Sequence, residues 1–238
     1  MTGFSMPDTL PEGDEKVAAV RGMFDAIAPR YDLVNRLMTF RLDVRWRRLA
    51  VRALALRQGS RVLDLASGTG DLCRELEAAG LAPVGVDLSF GMLAAARTRA
   101  PLVQGDALSL PVTDRSIDGV TCGFALRNLV ELPPFFAELA RVLRPGGRIA
   151  LLEVATPPNR LVRWGHGLYF GRVVPLIGRL LSDAAAYRYL PRSVTYLPGP
   201  DEMRSMLAAA GFAGVERRLL SGGVAQLITA SIGREGAP

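Results

Sequence analysis

Apolar residues recur at helical spacing from about residue 15 to 57, in "VAAVRGMFDAIAPRYDLVNRLMTF" and again in the basic stretch "RWRRLAVRALAL", with a break at Pro29. The period then changes. "SRVLDLAS", "APVGVDLS", "PLVQGDA", "SIDGVTCGFAL" and "RIALLEVA" are short apolar runs that predict strands. "GDLCRELEAAG", "FGMLAAARTRA" and "LPPFFAELARVLRPGG" predict helices, the last ended by Pro-Gly-Gly. Alternating strands and helices imply right-handed crossovers, hence an α/β fold with a mostly parallel sheet covered by helices on both faces. After Pro157 the alternation stops. Residues 160–181 read as an apolar, basic helical stretch, "SDAAAYRYLPRSVTYLPGP" as a loop-rich insert and "DEMRSMLAAAGF" as a helix. "GVERRLLS" and "VAQLITASIG", separated by Gly222 and Gly223, predict an antiparallel pair at the C-terminal edge. The chain thus divides into a disordered leader (1–14), an N-terminal helical lid (15–57) and a core (58–238) with an insert at about 156–199.

Composition narrows this picture. With 49 % hydrophobic residues the chain can build a sizeable core, yet no apolar run reaches the roughly eighteen residues a membrane span needs. The N-terminus is polar and broken by prolines, unlike a signal peptide. Cys73 and Cys122 read as buried free thiols in a reducing, cytoplasmic setting. The net charge is +6, almost all of it arginine; Lys16 is the only lysine. The basic residues form no dense block and accompany no zinc-finger or RNA-binding signature, so nucleic acid is not an expected partner. Basic stretches near Arg45–Arg52 and Arg160–Arg179 suit an anionic membrane surface instead.

The chemistry centres on "VLDLASGTGD", Val62 to Asp71. A phosphate-binding loop needs Lys and Ser or Thr after its last glycine, whereas here Gly70 precedes Asp71. A dinucleotide fingerprint needs a third glycine, which Gly68-Thr69-Gly70-Asp71-Leu72-Cys73 lacks. A cationic ligand fits better: S-adenosylmethionine carries an ammonium and a positive sulfur, which Asp64 suits, and Gly68 and Gly70 allow close backbone approach. Asp87 ends the next strand, where a carboxylate can accept ribose hydroxyls, and Asp106 ends the third, where an adenine amino group would lie. Singly, each acid could be a turn or helix-capping residue; together they form one rim of the sheet.

The set "VLDLASGTGD", "VGVDLS", "GDALSLP" and "RVLRPGGRIALLE" resembles a class I methyltransferase, with its Rossmann-like sheet. "YDLVNRLMTFRLDVRW", "GFALRN", "YRYLPRSV" and "SGGVAQ" resemble, more narrowly, the C-methyltransferases of ubiquinone and menaquinone biosynthesis, over about Met23 to Ser231. The resemblance implies S-adenosyl-L-methionine as cofactor, with Thr69, Asp87, Asp106 and Ala107 in contact and Gly123 nearby. It implies a prenylated quinol as acceptor, demethylmenaquinol first, with ubiquinone biosynthesis, another lipid or a secondary metabolite as alternatives. The chain departs from the family pattern where Arg41 replaces a glycine and where Gln226 and Leu227 follow "GGVA".

Methylating a ring carbon requires an electron-rich ring, so the acceptor should be the reduced quinol, ionised at one hydroxyl. Arg127 and Asn128, after the fourth strand, are the catalytic candidates: Arg127 to stabilise the phenolate or orient a water, Asn128 to hold a ring oxygen. For Arg127 the plain alternative is a salt bridge to a helix end. Tyr31, Asp32 and Asn35 share one helical side and would close the acceptor pocket. His166, the only histidine, reads as a packed or membrane-facing residue rather than a base; Trp46 and Trp164 read as core residues, or as interfacial ones. No metal is called for. The expected partners are the prenylated quinol and an anionic membrane surface, with a homodimer left open.

Overall fold

The computed structural model describes residues 12–173, 189 and 192–233. Residues 1–11 of the expected leader and much of the 156–199 insert lie outside them. The first helix, α1 (Gly13–Ile27), begins inside the expected leader. A single 3-10 turn at Ala28–Arg30, with Pro29 near its start, separates it from α2 (Tyr31–Met38) and then α3 (Leu42–Leu54). Proline fixes φ and lacks an N–H, so the helix restarts instead of running through. Phe40 and Arg41 turn the chain from α2 into α3 with φ of 50° and 61°. That left-handed geometry explains why a glycine is usual at position 41.

The core is a seven-stranded sheet in the order β3-β2-β1-β4-β5-β7-β6. Its strands are β1 (Arg61–Leu65), β2 (Ala82–Asp87), β3 (Leu102–Gln104), β4 (Ile117–Gly123), β5 (Leu143–Val154), β6 (Phe212–Leu220) and β7 (Ala225–Ile232). The first five are parallel, and β7 runs antiparallel between β5 and β6. The expected antiparallel pair therefore forms that edge, with the last strand tucked inside it. Between the strands lie α4 (Asp71–Ala78), α5 (Phe90–Ala94), α6 (Leu132–Val142), α7 (Arg160–Leu168) and α8 (Pro200–Ala209). Strand order reverses between β1 and β4, the place where open α/β sheets bind ligands.

Two boundaries differ from the sequence expectation. The helix expected over residues 90–100 stops at Ala94, because the chain bends to give the Arg97 N–H to the Thr69 carbonyl at 3.0 Å. Pro145, Gly146 and Gly147 do not end a helix. α6 stops at Val142, and residues 144–147 bulge from the β5 ladder between the pairs Ile117–Leu143 and Gly119–Arg148.

Apolar side chains bury the sheet on both faces. Phe135, Phe136 and Leu139 of α6 pack with Leu207 of α8 on one side; Trp46, Ala50 and Leu54 of α3 pack with Leu72 and Leu76 of α4 on the other. The lid has a separate cluster, in which Met23, Ile27, Val34 and Met38 surround Met92 and Tyr189. Trp46 is thus a core residue, its indole N–H donating to Ser221 Oγ at 2.9 Å, whereas Trp164 is 72 % exposed. Both cysteines are free and buried.

Candidate active site

Positive φ at Ala66, Gly68 and Gly70 folds the β1–α4 turn back over the end of the sheet. Beside it a cavity of about 150 Å³ runs from Asp106 and Ala107, past Asp87, to Asp64, Gly68, Thr69 and Gly123. The three carboxylates do share one rim. α1 roofs the cavity with Val17, Val20 and Phe24. Three polar ties hold that roof down. Asp25 Oδ1 accepts from Ser89 Oγ (2.5 Å) and the Gly91 N–H (2.8 Å), and Lys16 Nζ donates to the Leu129 carbonyl at 2.6 Å while sitting 3.6 Å from the Tyr196 ring centre. A side chain at position 91 would strike Asp25 at 2.9 Å, so only glycine permits this approach.

Asp64 is completely buried on β1, opposite Thr121 of β4. Its carboxylate accepts from Thr121 Oγ1 at 2.8 Å and from Cys73 Sγ at 3.4 Å. Burial outweighs these bonds and pushes the carboxyl up to about 7. Asp87 accepts the Gly68 N–H at 2.7 Å and the Ser89 N–H at 2.8 Å, yet burial still holds it above the usual carboxylate range. Each oxygen keeps a lone pair for a ligand. Asp106 accepts the Leu108 N–H at 2.9 Å in a local turn, and so combines the turn role and the rim position.

Two assignments need correcting. Gly70 does not line the cavity. It is glycine because φ is 80° and a Cβ would meet the Thr98 side chain at 2.7 Å. Asp32 does not line either cavity; it accepts from Thr69 Oγ1 at 2.5 Å and so ties α2 to the glycine turn.

A second, larger cavity of about 630 Å³ lies between the lid, the loop after β4 and α7. Phe24, Tyr31 and Phe124 line both cavities, so the two spaces meet at aromatic walls. The larger one is mostly apolar, with Met23, Ile27, Met38, Trp46 and Val162 among its walls. Asn35 lines it too, and its buried Nδ2 has no hydrogen-bond partner. Tyr31 is half-buried, and its removal from water raises its phenol above the ordinary range. His166 also lines this space, and burial lowers its pKa.

Arg127 reaches the larger cavity, but not as a lone cation. Its guanidinium pairs with the fully buried Glu153 and donates to the Phe124 carbonyl (2.7 Å) and Ser193 Oγ (3.1 Å). The Arg127 N–H also donates to Glu153, at 3.2 Å. The guanidinium and Glu153 thus form a neutralised pair that fixes the loop after β4, a salt bridge as in the plain alternative but to the end of a strand and not of a helix. Asn128 lines the smaller cavity and its Oδ1 accepts from the Tyr189 hydroxyl at 3.2 Å. Sequence reasoning gave no role to Glu153, Ser193 and Tyr189, although they lie within "RVLRPGGRIALLE" and "YRYLPRSV".

Arg47 was grouped with a basic surface stretch; it is instead buried, with Nη1 2.5 Å from Asp43 and 2.9 Å from Asp71. Of the expected basic stretch Arg45–Arg52, Arg45 and Arg52 remain exposed, and Arg48 faces Glu75 at 3.0 Å.

The smaller cavity suits an adenosyl amino acid. Its rim is acidic, Ser67 Oγ is buried there without a partner, and a Cβ at Gly68 would project into open space. Among the described residues no cluster could hold a metal ion.

Residues 12–231 match the ubiE/COQ5 methyltransferase family. A demethylmenaquinone methyltransferase of Roseiflexus castenholzii is 44% identical over 93% of this chain and 97% of that protein. A ubiquinone/menaquinone biosynthesis C-methyltransferase UbiE of Geobacter sulfurreducens is 40% identical over 92% of this chain and 90% of that protein. Among solved structures, phosphoethanolamine N-methyltransferase 2 of Haemonchus contortus with S-adenosyl-L-methionine is similar with a TM-score of 0.55 and 16% identity, over 77% of this chain and 52% of that one. The [4+2]-cyclase SpnF is similar over 97% of this chain and 99% of that one, with a TM-score of 0.65 and 17% identity. A cyclase among the neighbours shows that the fold alone does not fix the reaction.

Proposed function

This chain belongs to the ubiE/COQ5 methyltransferase family, and from that membership we propose that it methylates a ring carbon of a prenylated quinol, demethylmenaquinol first. It is an S-adenosylmethionine-dependent methyltransferase acting in menaquinone or ubiquinone biosynthesis. The observation that carries the choice of acceptor is the pair of cavities, one acid-rimmed and one large and apolar, joined at Phe24, Tyr31 and Phe124. The first suits a polar, cationic donor; the second suits an aromatic ring with a hydrocarbon tail.

The cofactor supplies an electrophilic methyl group on a positively charged sulfur. The protein's residues do the rest. Asp106 and Ala107 would hold the adenine end, Asp87 the ribose, and Asp64 with the Gly68–Thr69 turn the amino-acid end. The roof of α1 and α2 excludes water. In the larger cavity the unpartnered Asn35 amide offers a donor to a quinol oxygen. Asn128 lines the smaller cavity instead; with its Oδ1 engaged by Tyr189, its amide N–H groups are left for a ring oxygen brought up to the methyl donor. Arg127 contributes an oriented donor edge whose charge is shared with Glu153, and so favours the ionised hydroxyl without offering a base.

A long isoprenoid tail must come out of a bilayer, and among the described residues no helix is long and apolar enough to cross one. Peripheral attachment from the cytoplasm fits the surface. Leu161, Trp164 and Leu168 lie along one side of α7, a helix with no buried residue, and are 80, 72 and 40 % exposed. Leu33, Leu37 and Phe40 do the same on and just after α2. The Phe40 and Tyr169 rings meet at 5.6 Å, which joins the two patches beside the larger cavity. Arg30, Arg41, Arg160 and Arg172 border them, a composition suited to an anionic lipid interface. The test is transfer of labelled methyl to a panel of reduced quinones, with each product identified by mass. Methylated demethylmenaquinol is expected; product from a soluble, tail-free phenol alone would refute the acceptor.

A further inference from the structure

The smaller cavity holds a charge arrangement that the reading above leaves unused. Arg47, carried in by α3, is only 6 % exposed and lines the same wall as Asp64, Gly68 and Thr69. Burial alone would depress a guanidinium; Asp71 and Asp43 reverse that and hold its pKa above the ordinary value. The carboxylates are themselves shared. Asp71 is bonded by Arg74 and lies 3.6 Å from Arg36, and Asp43 also accepts from Thr39 Oγ1 at 2.6 Å. Arg36, Arg47 and Arg74 thus face Asp43 and Asp71, which leaves one positive charge in excess beside the cavity. Of these three arginines only Arg47 lines the cavity.

Asp64 lines the same end, and its carboxyl feels the charge of this same Arg47. A cation and an acid lining one end of a cavity match a zwitterion. Arg47 meets Asp43 and Asp71 through Nη1. A guanidinium carries five N–H donors in a planar fork, and its other edge can take a carboxylate in two parallel bonds.

We propose that Arg47 recognises the methionine carboxylate of the methyl donor while Asp64 faces its ammonium, and that Asp43 and Asp71 hold the guanidinium in place for that contact. The proposal rests on the smaller cavity being the S-adenosylmethionine site, and it is independent of which acceptor fills the larger one. Glycine-turn motifs do not reveal such a residue, because it arrives from the lid and not from the sheet.

Calorimetry with S-adenosylhomocysteine and its decarboxylated analogue tests it. Wild-type protein should bind the carboxylate-bearing ligand about tenfold to a hundredfold more tightly, as expected for a charge-assisted bidentate contact. Arg47→Met should bring the two affinities together by weakening only the first. Because that change leaves Asp43 buried without its partner, the double variant Asp43→Asn/Arg47→Met, checked by circular dichroism, serves where the single one unfolds. Arg47→Lys should restore part of the preference. Equal wild-type affinities, or a folded Arg47 variant that keeps the wild-type preference or weakens both ligands equally, would overturn the assignment. Failure of wild-type protein to bind either ligand would overturn instead the reading of the cavity on which it rests.

Discussion

Asp64→Asn should make the protein more stable and bind its cofactor less well, both at the same pH. Asp64 has no exposure, and its carboxyl is pushed from 3.8 up to about 7 by burial. A raised acid pKa means that the folded state prefers the protonated form. The stabilising contribution is present below pH 3.8 and is lost as pH rises to about 7. Three pH units at about 1.4 kcal/mol each put the penalty near 4 kcal/mol at neutral pH and above, as an order of magnitude. Asparagine is isosteric and keeps an oxygen for the Thr121 hydroxyl and an N–H for the Cys73 sulfur, so it removes the charge and little else. Thermal melts should show the variant clearly more stable at pH 8 and nearly equal to wild type near pH 4. Calorimetry should show S-adenosylhomocysteine bound about tenfold or more weakly at pH 8, since its ammonium loses a charged partner. Wild-type affinity should also rise as pH climbs through about 7, where Asp64 ionises, and that rise should vanish in the variant. A variant less stable than wild type at pH 8, with unchanged affinity and pH profile, would refute the assignment of Asp64 to a cationic ligand.

The other predictions are of smaller reach. Asp32→Ala cuts the tie between α2 and Thr69, so S-adenosylhomocysteine should dissociate faster and bind about tenfold more weakly; an unchanged off-rate in stopped flow would contradict the tie. Arg41→Gly relieves a left-handed residue at φ 61°, and should stabilise by about 1 kcal/mol, roughly 2–4 °C in a melt. Trp164→Asp should reduce partition onto anionic vesicles about tenfold or more at low salt, read by flotation; equal flotation would remove α7 from the lipid contact.

The glycine turn and the three strand-end acids were legible in the sequence because each is local: an apolar run, then a turn residue, then a carboxylate. The parallel sheet followed from the alternation of such units. The fate of "RPGG" was not legible, since Pro-Gly-Gly ends helices and forms bulges alike, and only pairing with β4 decides between them. Arg127 was read correctly as a residue of the loop after β4, but its partner Glu153 is 26 positions away at the end of a different strand. Nothing in residue type distinguished buried Trp46 from exposed Trp164, or inward Arg47 from outward Arg45; both pairs are set by which side of a helix meets the core. Position 41 was visible as a departure, and its reason, a positive φ, needed the backbone.

The central claim is that an electron-rich ring carbon in the larger cavity attacks the methyl group held in the smaller one, the methyl–sulfur bond breaking to leave S-adenosylhomocysteine and the ring C–H proton passing to water as the ring regains aromaticity. In an oxidised ring both oxygens are carbonyls and the carbon is an electrophile. In the quinol, loss of one hydroxyl proton moves charge onto that carbon. The direct measurement is product formation from demethylmenaquinone in matched anaerobic reactions with and without dithionite. The account predicts methylated product only in the reduced reaction; equal product from ring shown spectroscopically to stay oxidised would contradict it.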